Sequence, residues 1–395
     1  MLVSRKMASC VQLWVSNYLP DLQVRRLAIT NSISRSWPSA DKGCDSPHAM
    51  IRGALLVCVL ATTCGCRGQP PTSGDSLDSY ATIQETEIRN LAFSLDGKTL
   101  AIRSGDADLV LWDVASRTRR AQIQNSFSGH NQSIVFLFDG KGIAMNAGAV
   151  IFRLDLSTGK TTELYRHTNP DLPTYLTASS DGKMLASCDF KNIIVWDVVK
   201  GAKVASFVAE KDWDITSMAF FQGARTLAGS GIQAAGAGNE GIWLWEISGK
   251  GKPRFLPGRM GLFAISADGK SWATLDNSGH FLVWDTETDK LRAKWPIDIG
   301  TIRAISFSPN GKVLIAAGGH VPPFAPRGPG LVAFIDTGTG KVISTAKVLP
   351  ENVGWMALSP DGKLLAVSTE SPSNEMKVFD VSAITTPPKV ADDMK

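Results

Sequence analysis

The sequence predicts an all-β protein in which seven copies of one antiparallel unit close into a ring. Three observations carry this expectation. A tight-turn glycine recurs at Gly97, Gly140, Gly182, Gly223, Gly269, Gly311 and Gly362, spaced by roughly 41 to 51 residues, the period of a repeat array. An acidic residue keeps pace with it, at Asp113, Asp155, Asp197, Glu246, Asp285, Asp336 and Asp380, and each follows a large apolar residue: Trp112, Leu154, Trp196, Trp245, Trp284, Ile335 or Phe379. The first copy reads as three strands. Leu91 and Phe93 alternate with polar or small residues, Asp96-Gly97 supplies the φ > 0 positions of a hairpin, Leu100 and Ile102 resume the alternation, and Leu109 to Trp112 is a third apolar run.

The repeat length and the Trp-Asp pairs resemble the WD40 family of β-propellers, over residues 80–381. The resemblance implies a seven-bladed β-propeller with a fourth, outer strand in each blade, here at 120–124, 161–166, 204–209, 254–257, 291–295 and 341–346. The seventh copy lacks one, because Pro387-Pro388 cannot donate to a ladder. Residues 79–86, an otherwise unused strand pattern, are expected to complete it and close the ring. WD40 blades often join a Gly-His pair and a turn Asp to a Ser/Thr and the Trp as a hydrogen-bonded set. Only Gly129-His130 and Asp106 match, in different copies, so no blade is expected to assemble the whole set. The Asp-Gly-Lys turns, with Ser359-Pro360-Asp361-Gly362, also resemble TolB-type and lactonase-type propellers.

Ahead of the repeats the composition changes. Residues 1–63 carry seven Lys or Arg against three Asp or Glu, which accounts for the whole formal net charge of +4. The repeats are therefore neutral and offer no electrostatic footprint for nucleic acid or an anionic membrane. Residues 1–49 are Ser-rich and without period, which reads as a disordered extension or a misassigned start. From Met50 the chain shows one Arg, an apolar run over 53–61 and small residues before Cys64 and Cys66. This resembles a lipoprotein signal spanning 50–66, with either cysteine as the lipidation site, and the run is too short to cross a bilayer. Residues 67–78 form a polar linker, 79–386 the propeller and 387–395 a tail. A lipid-anchored location in the periplasm or envelope is expected, with secretion or cytoplasmic retention as alternatives.

Chemistry is sparsely signalled. His130, His167, His280 and His320 fall in four different copies, with no HxxxH or CxxC spacing for a metal. No GxSxG elbow offers a nucleophile, and the Gly-rich 234–241 is followed by no phosphate-binding Lys-Ser/Thr. No catalytic residue, metal or cofactor is expected.

Loop length does vary. Insertions at 231–241 and 318–330 separate the second and third strands of the fourth and sixth copies. In WD40 propellers that loop shares a face with the connection entering the inner strand. That face would present Trp213, Tyr175, Trp355, His320, Phe324 and Arg327, the mixture of aromatics and Arg found at protein hot spots. Packing between blades is the alternative for Trp213 and Trp355. The expected function is a monomeric, non-catalytic scaffold that binds a protein or peptide and meets the membrane only through its anchor. The alternative is a lactonase-like enzyme or small-ligand receptor acting at the central channel.

Overall fold

The computed structural model describes residues 77–385 apart from 86, 106–107, 125–132, 169–174, 190, 211–212, 234–240, 258–261, 277, 321–327 and 370–374. The signal, lipidation and linker assignments at 1–76 and the tail at 387–395 lie outside the described residues, as do Gly129-His130 and Asp106.

The strands form seven four-stranded antiparallel sheets. In blade 1 the order from the axis outward is Ile88–Phe93, Thr99–Ser104, Asp108–Asp113 and Thr118–Gln124. Blade 7 takes three strands from the chain end, Val353–Leu358, Leu364–Thr369 and Glu375–Asp380, and its outer strand, Ser79–Gln84, from the start of the ring. Each inner strand touches the next, and the seventh touches the first. The molecule is a seven-bladed β-propeller. The other outer strands, Thr161–Arg166, Ala202–Val208, Arg254–Pro257, Leu291–Pro296 and Val342–Leu349, fall where the repeat places them.

Burial explains why the second strands read as nearly unbroken apolar or small runs. Every residue of Thr99–Ser104 and Val313–Gly319 is buried, because each blade packs a neighbour on both faces. Alternate residues of blade 7 serve opposite seams. Leu365 and Val367 pack with Phe334 and Val332 of blade 6, whereas Ala366 and Val378 pack with Leu91 and Ile102 of blade 1. The outer strands show one exposed face, as in Thr118–Gln124. The insertions are shorter than the sequence suggests. Thr226–Gln233 and Gly241–Glu246 in blade 4, and Val313–Gly319 and Gly330–Asp336 in blade 6, extend the ladder into them.

The hairpin turns between inner and second strands nest around one end of the ring. A Cβ on Gly182, at φ +68°, would lie 2.6 Å from the Phe138 backbone nitrogen of blade 2. One on Gly362 would lie 2.6 Å from Pro309 of blade 6. A side chain there would push blades apart. The chain end is fastened over the same turns: within a short helix, Ser382–Thr385, Thr385 donates its hydroxyl to the Gly362 carbonyl and accepts Asn310 Nδ2 on its own carbonyl at 2.9 Å.

At the far edge of the third strand, in every blade but the fourth, an aspartate ties its own turn. Asp155 accepts the Ser157 hydroxyl at 2.6 Å and the Thr158 and Ser157 N–H groups at 2.9 Å, which pulls its carboxyl down to about 2. Asp113, Asp285 and Asp336 are lowered in the same way by their turns.

Two outcomes follow. Gly182→Ala should cost about 2 to 4 kcal/mol, through its left-handed backbone and the clash with Phe138. Gly140→Ala, with the same backbone but open space around its Cβ, should cost about 1 to 2 kcal/mol; urea unfolding of both variants checks the difference. The turn carboxylates titrate lower in the folded chain than in the unfolded one, so their stabilisation is present above the ordinary carboxyl value of 3.8 and is lost as pH falls through their lowered folded values, about 2 for Asp155. Melting temperature should accordingly hold down to about pH 5 and fall steadily below about pH 4.

Candidate functional site at the channel mouth

The inner strands are of two kinds. Those of blades 2, 3 and 5 are short, Ile134–Phe136, Tyr175–Ala178 and Phe263–Ile265. Those of blades 1, 4, 6 and 7 run further, and each breaks register at the same level. Pairing passes from Ile88 to Asn90, Ile215 to Ser217, Ile302 to Ala304 and Val353 to Trp355. The skipped residues are Arg89, Thr216, Arg303 and Gly354. A β-bulge re-aims side chains and bends the strand, and here four bulges lie at the end of the channel where outer strands hand over to inner ones. The insertions of blades 4 and 6 lie at that same end.

One residue below the bulges, equivalent pairings place Asn90, Tyr175, Ser217, Ala304 and Trp355 in one layer. None is fully buried, and Trp355 is 41% exposed although it sits on an innermost strand. Tyr175 and Trp355 are three blades apart in a ring of seven, hence on nearly opposite sides. Arg89 and Arg303 belong to the blades on either side of Trp355. Arg89 pairs with Glu87 at 3.1 Å. Behind it the buried guanidinium of Arg103 is drawn down to about 10, by burial first and by the Arg89 charge second.

The other residues singled out by sequence fare differently. Trp213 is buried, edge-on to Phe255 and Trp243, among Cys188, Ile193 and Val195 of blade 3. It packs the seam between blades 3 and 4 and presents nothing to a partner. His320 is exposed at the end of the second strand of blade 6, where its carbonyl accepts the Gly328 N–H at 2.8 Å. Phe324 and Arg327 lie outside the described residues. Trp112 and Trp245 are buried, whereas Trp196 and Trp284 are half-buried; all four stand where third strands meet a seam.

Blade 3 holds part of the hydrogen-bonded set, from residues other than the Gly129-His130 and Asp106 matches. His167, just past the outer strand of blade 2, places Nε2 2.9 Å from Ser187 Oγ and Nδ1 3.4 Å from Asp189 Oδ2. Asp189 also accepts the backbone N–H and side-chain amide of Asn192. Burial raises the Asp189 carboxyl, but hydrogen bonds from His167 and Asn192 outweigh it and the net direction is down. Trp196 stands in the third strand of the same blade, its Nε1 unbonded, so three of the four members are joined. In blade 5, Trp284 Nε1 donates to Thr274 at 3.0 Å and Asp276 sits at the equivalent turn. Blades 3 and 5 both carry Ser/Thr-x-Asp ahead of Trp-Asp, a sequence signal that finds the pair; Arg166 in place of glycine before His167 hides the histidine.

Ser187, His167 and Asp189 have the connectivity of a hydrolase triad. All three are at most 3% exposed, and this run of contacts joins blade 2 to blade 3 in the interior. Among the described residues no group of three or more His, Cys, Asp or Glu is gathered to hold a metal ion, and no helix is long and apolar enough to cross a membrane. Comparison with protein-family models and with curated proteins gives no match.

Asp189→Ala should destabilise the ring by about 3 kcal/mol, since His167 and Asn192 lose a buried ionic acceptor. Ser187→Ala should cost about 1 kcal/mol. Chemical unfolding of the two variants tests the order.

Proposed function

We propose that the protein is a non-catalytic, WD40-like propeller scaffold of the cell envelope, exported by its leader, lipid-anchored through Cys64 or Cys66, and monomeric. It captures a protein or peptide at the channel mouth. The observation that carries this reading is Trp355: an exposed indole on a rigid innermost strand, between two blades that each contribute an arginine at a bulge. Large exposed apolar rings flanked by Arg dominate the energetics of protein interfaces. The inner strands lose little freedom on binding because their ladders already fix them. The partly broken hydrogen-bonded sets of blades 3 and 5 support the WD40-like assignment. The neutral repeats argue against nucleic acid.

A second reading has one specific observation in its favour. Arg89, Trp355 and Arg303 come from three blades around one channel, which also suits a small anionic ligand, as in a receptor or a lactonase-like enzyme.

Capture from envelope fractions separates the two. Trp355→Ala should keep the melting temperature and weaken retention of a protein partner by about 1 to 2 kcal/mol, or roughly 5- to 30-fold. Shortening residues 320–329 to an ordinary turn should also weaken it, because the ladder on either side keeps its register. Undiminished capture by both folded variants would remove this end of the channel from consideration.

A further inference from the structure

The opposite end of the ring holds a second irregularity, most pronounced in blade 4. In blades 1, 3, 5, 6 and 7 one pattern ties the hairpin between inner and second strands. A serine hydroxyl (Ser94, Ser179, Ser266, Ser308, Ser359) donates to the side-chain oxygen two residues on, at Asp96, Asp181, Asp268, Asn310 and Asp361. It also accepts the N–H five residues on. Blades 2 and 4 have Leu137 and Phe221 in the serine's place; in blade 2 Asp139 still accepts the Lys141 and Gly142 N–H groups, whereas blade 4 has no carboxylate in its turn. Its turn runs through three consecutive left-handed residues, Gln222 at φ 54°, Gly223 at 64° and Ala224 at 61°, two of which carry side chains. Backbone of that kind persists where surrounding structure enforces it, and it gathers at functional sites.

The closing acid departs at the same place. In the other six blades an Asp accepts N–H groups of its own turn. Blade 4 has Glu246, exposed, whose carboxylate among the described residues meets only the Ser248 hydroxyl, at 3.5 Å. Beside it open two adjoining clefts of about 440 and 380 Å³ that share Gln222, Thr226 and Glu246. Arg225 lines the first, and Lys252, Arg254 and Glu287 line the second. Arg254 is tied to Asp289. Arg225, Lys252, Glu246 and Glu287 form no ion pair among the described residues.

Two cations and two carboxylates thus line two adjoining clefts without satisfying each other, Arg225 in the cleft within blade 4, Lys252 and Glu287 in the cleft toward blade 5, and Glu246 in both. A ligand of single charge would answer half of them and meet like charge from the rest. We propose that these adjoining clefts at the rim of blade 4 bind a small zwitterion, a short peptide, with its carboxylate toward Arg225 in the first cleft and its ammonium toward Glu246, which lines both, and Glu287 in the second. The volumes lie at the lower end of small-molecule sites. This site is independent of the channel mouth, and either can fail alone.

Triglycine, N-acetyl-triglycine and triglycinamide are the probes, titrated against the intact protein by saturation-transfer NMR. Triglycine should bind, and each capped form should bind roughly tenfold more weakly, because a charge-assisted hydrogen bond is lost. Glu246→Gln should weaken triglycine while leaving the acetylated probe unchanged. Arg225→Gln should weaken triglycine while leaving the amide unchanged. Both side chains are exposed, so circular dichroism and melting should match the parent. Equal binding of the three probes, no binding of triglycine at tens of millimolar, or indifference to both substitutions would overturn the proposal. Trp355→Ala should not alter triglycine binding; a loss there would place the ligand in the channel and overturn it as well.

Discussion

Everything in the ring depends on one pairing, that of Ser79–Gln84 with Glu375–Asp380. Without it the row of backbone groups on the third strand of blade 7 would stand unpaired, and an open sheet edge invites pairing with other chains. With it, each blade is flanked by two others, and every second strand can bury both faces. The pairing also brings Ile83 and Tyr80 over Met376 and Val378 into the seam with blade 1, so closure is made by packing as well as by the ladder. The narrow tolerance at Gly182 and Gly362 follows, because a closed ring cannot relieve one crowded seam without straining the others.

The fold was legible because its markers are local. A tight turn needs a residue that tolerates φ > 0, and an acid that caps its own turn needs no distant partner, so both recur at constant spacing whatever the blade packs against. The site was less legible because it depends on register. Trp213 and Trp355 look alike in sequence, each an aromatic at the start of an inner strand. Trp213 pairs with Gln233 ahead of its bulge and is buried, whereas Trp355 pairs with Ser368 just past its bulge and stands in the channel. One skipped residue changes which way the following side chains face, and nothing in the chain announces the skip. His167 escaped for the opposite reason: its partners, Ser187 and Asp189, are close in sequence, but they belong to the next blade.

The two ends of the propeller differ in how they are made. The turn-bearing end is held by a hydrogen-bond pattern repeated in five blades, so a departure such as Gln222 to Arg225 stands out against it. The channel-mouth end has no such template. There the variation is in strand length, bulges and insertions, which alter the lining of the channel while leaving the seams between blades intact. A repeated framework of this kind confines change to its rims.

Closing the ring with its first strand also sets when its assembly can finish. Ser79 and Phe379 are partners, and about 300 residues separate them. At about 5 to 20 residues per second a ribosome needs roughly 15 to 60 s between making one and making the other. For that interval the opening strand has no mate, and the nascent chain is an arc with two raw edges. Blades can assemble one after another from local hairpins, but the final junction waits for the last strand and has the longest loop to close. That waiting arc, rather than the finished ring, is the species for which a cell's chaperones would have work.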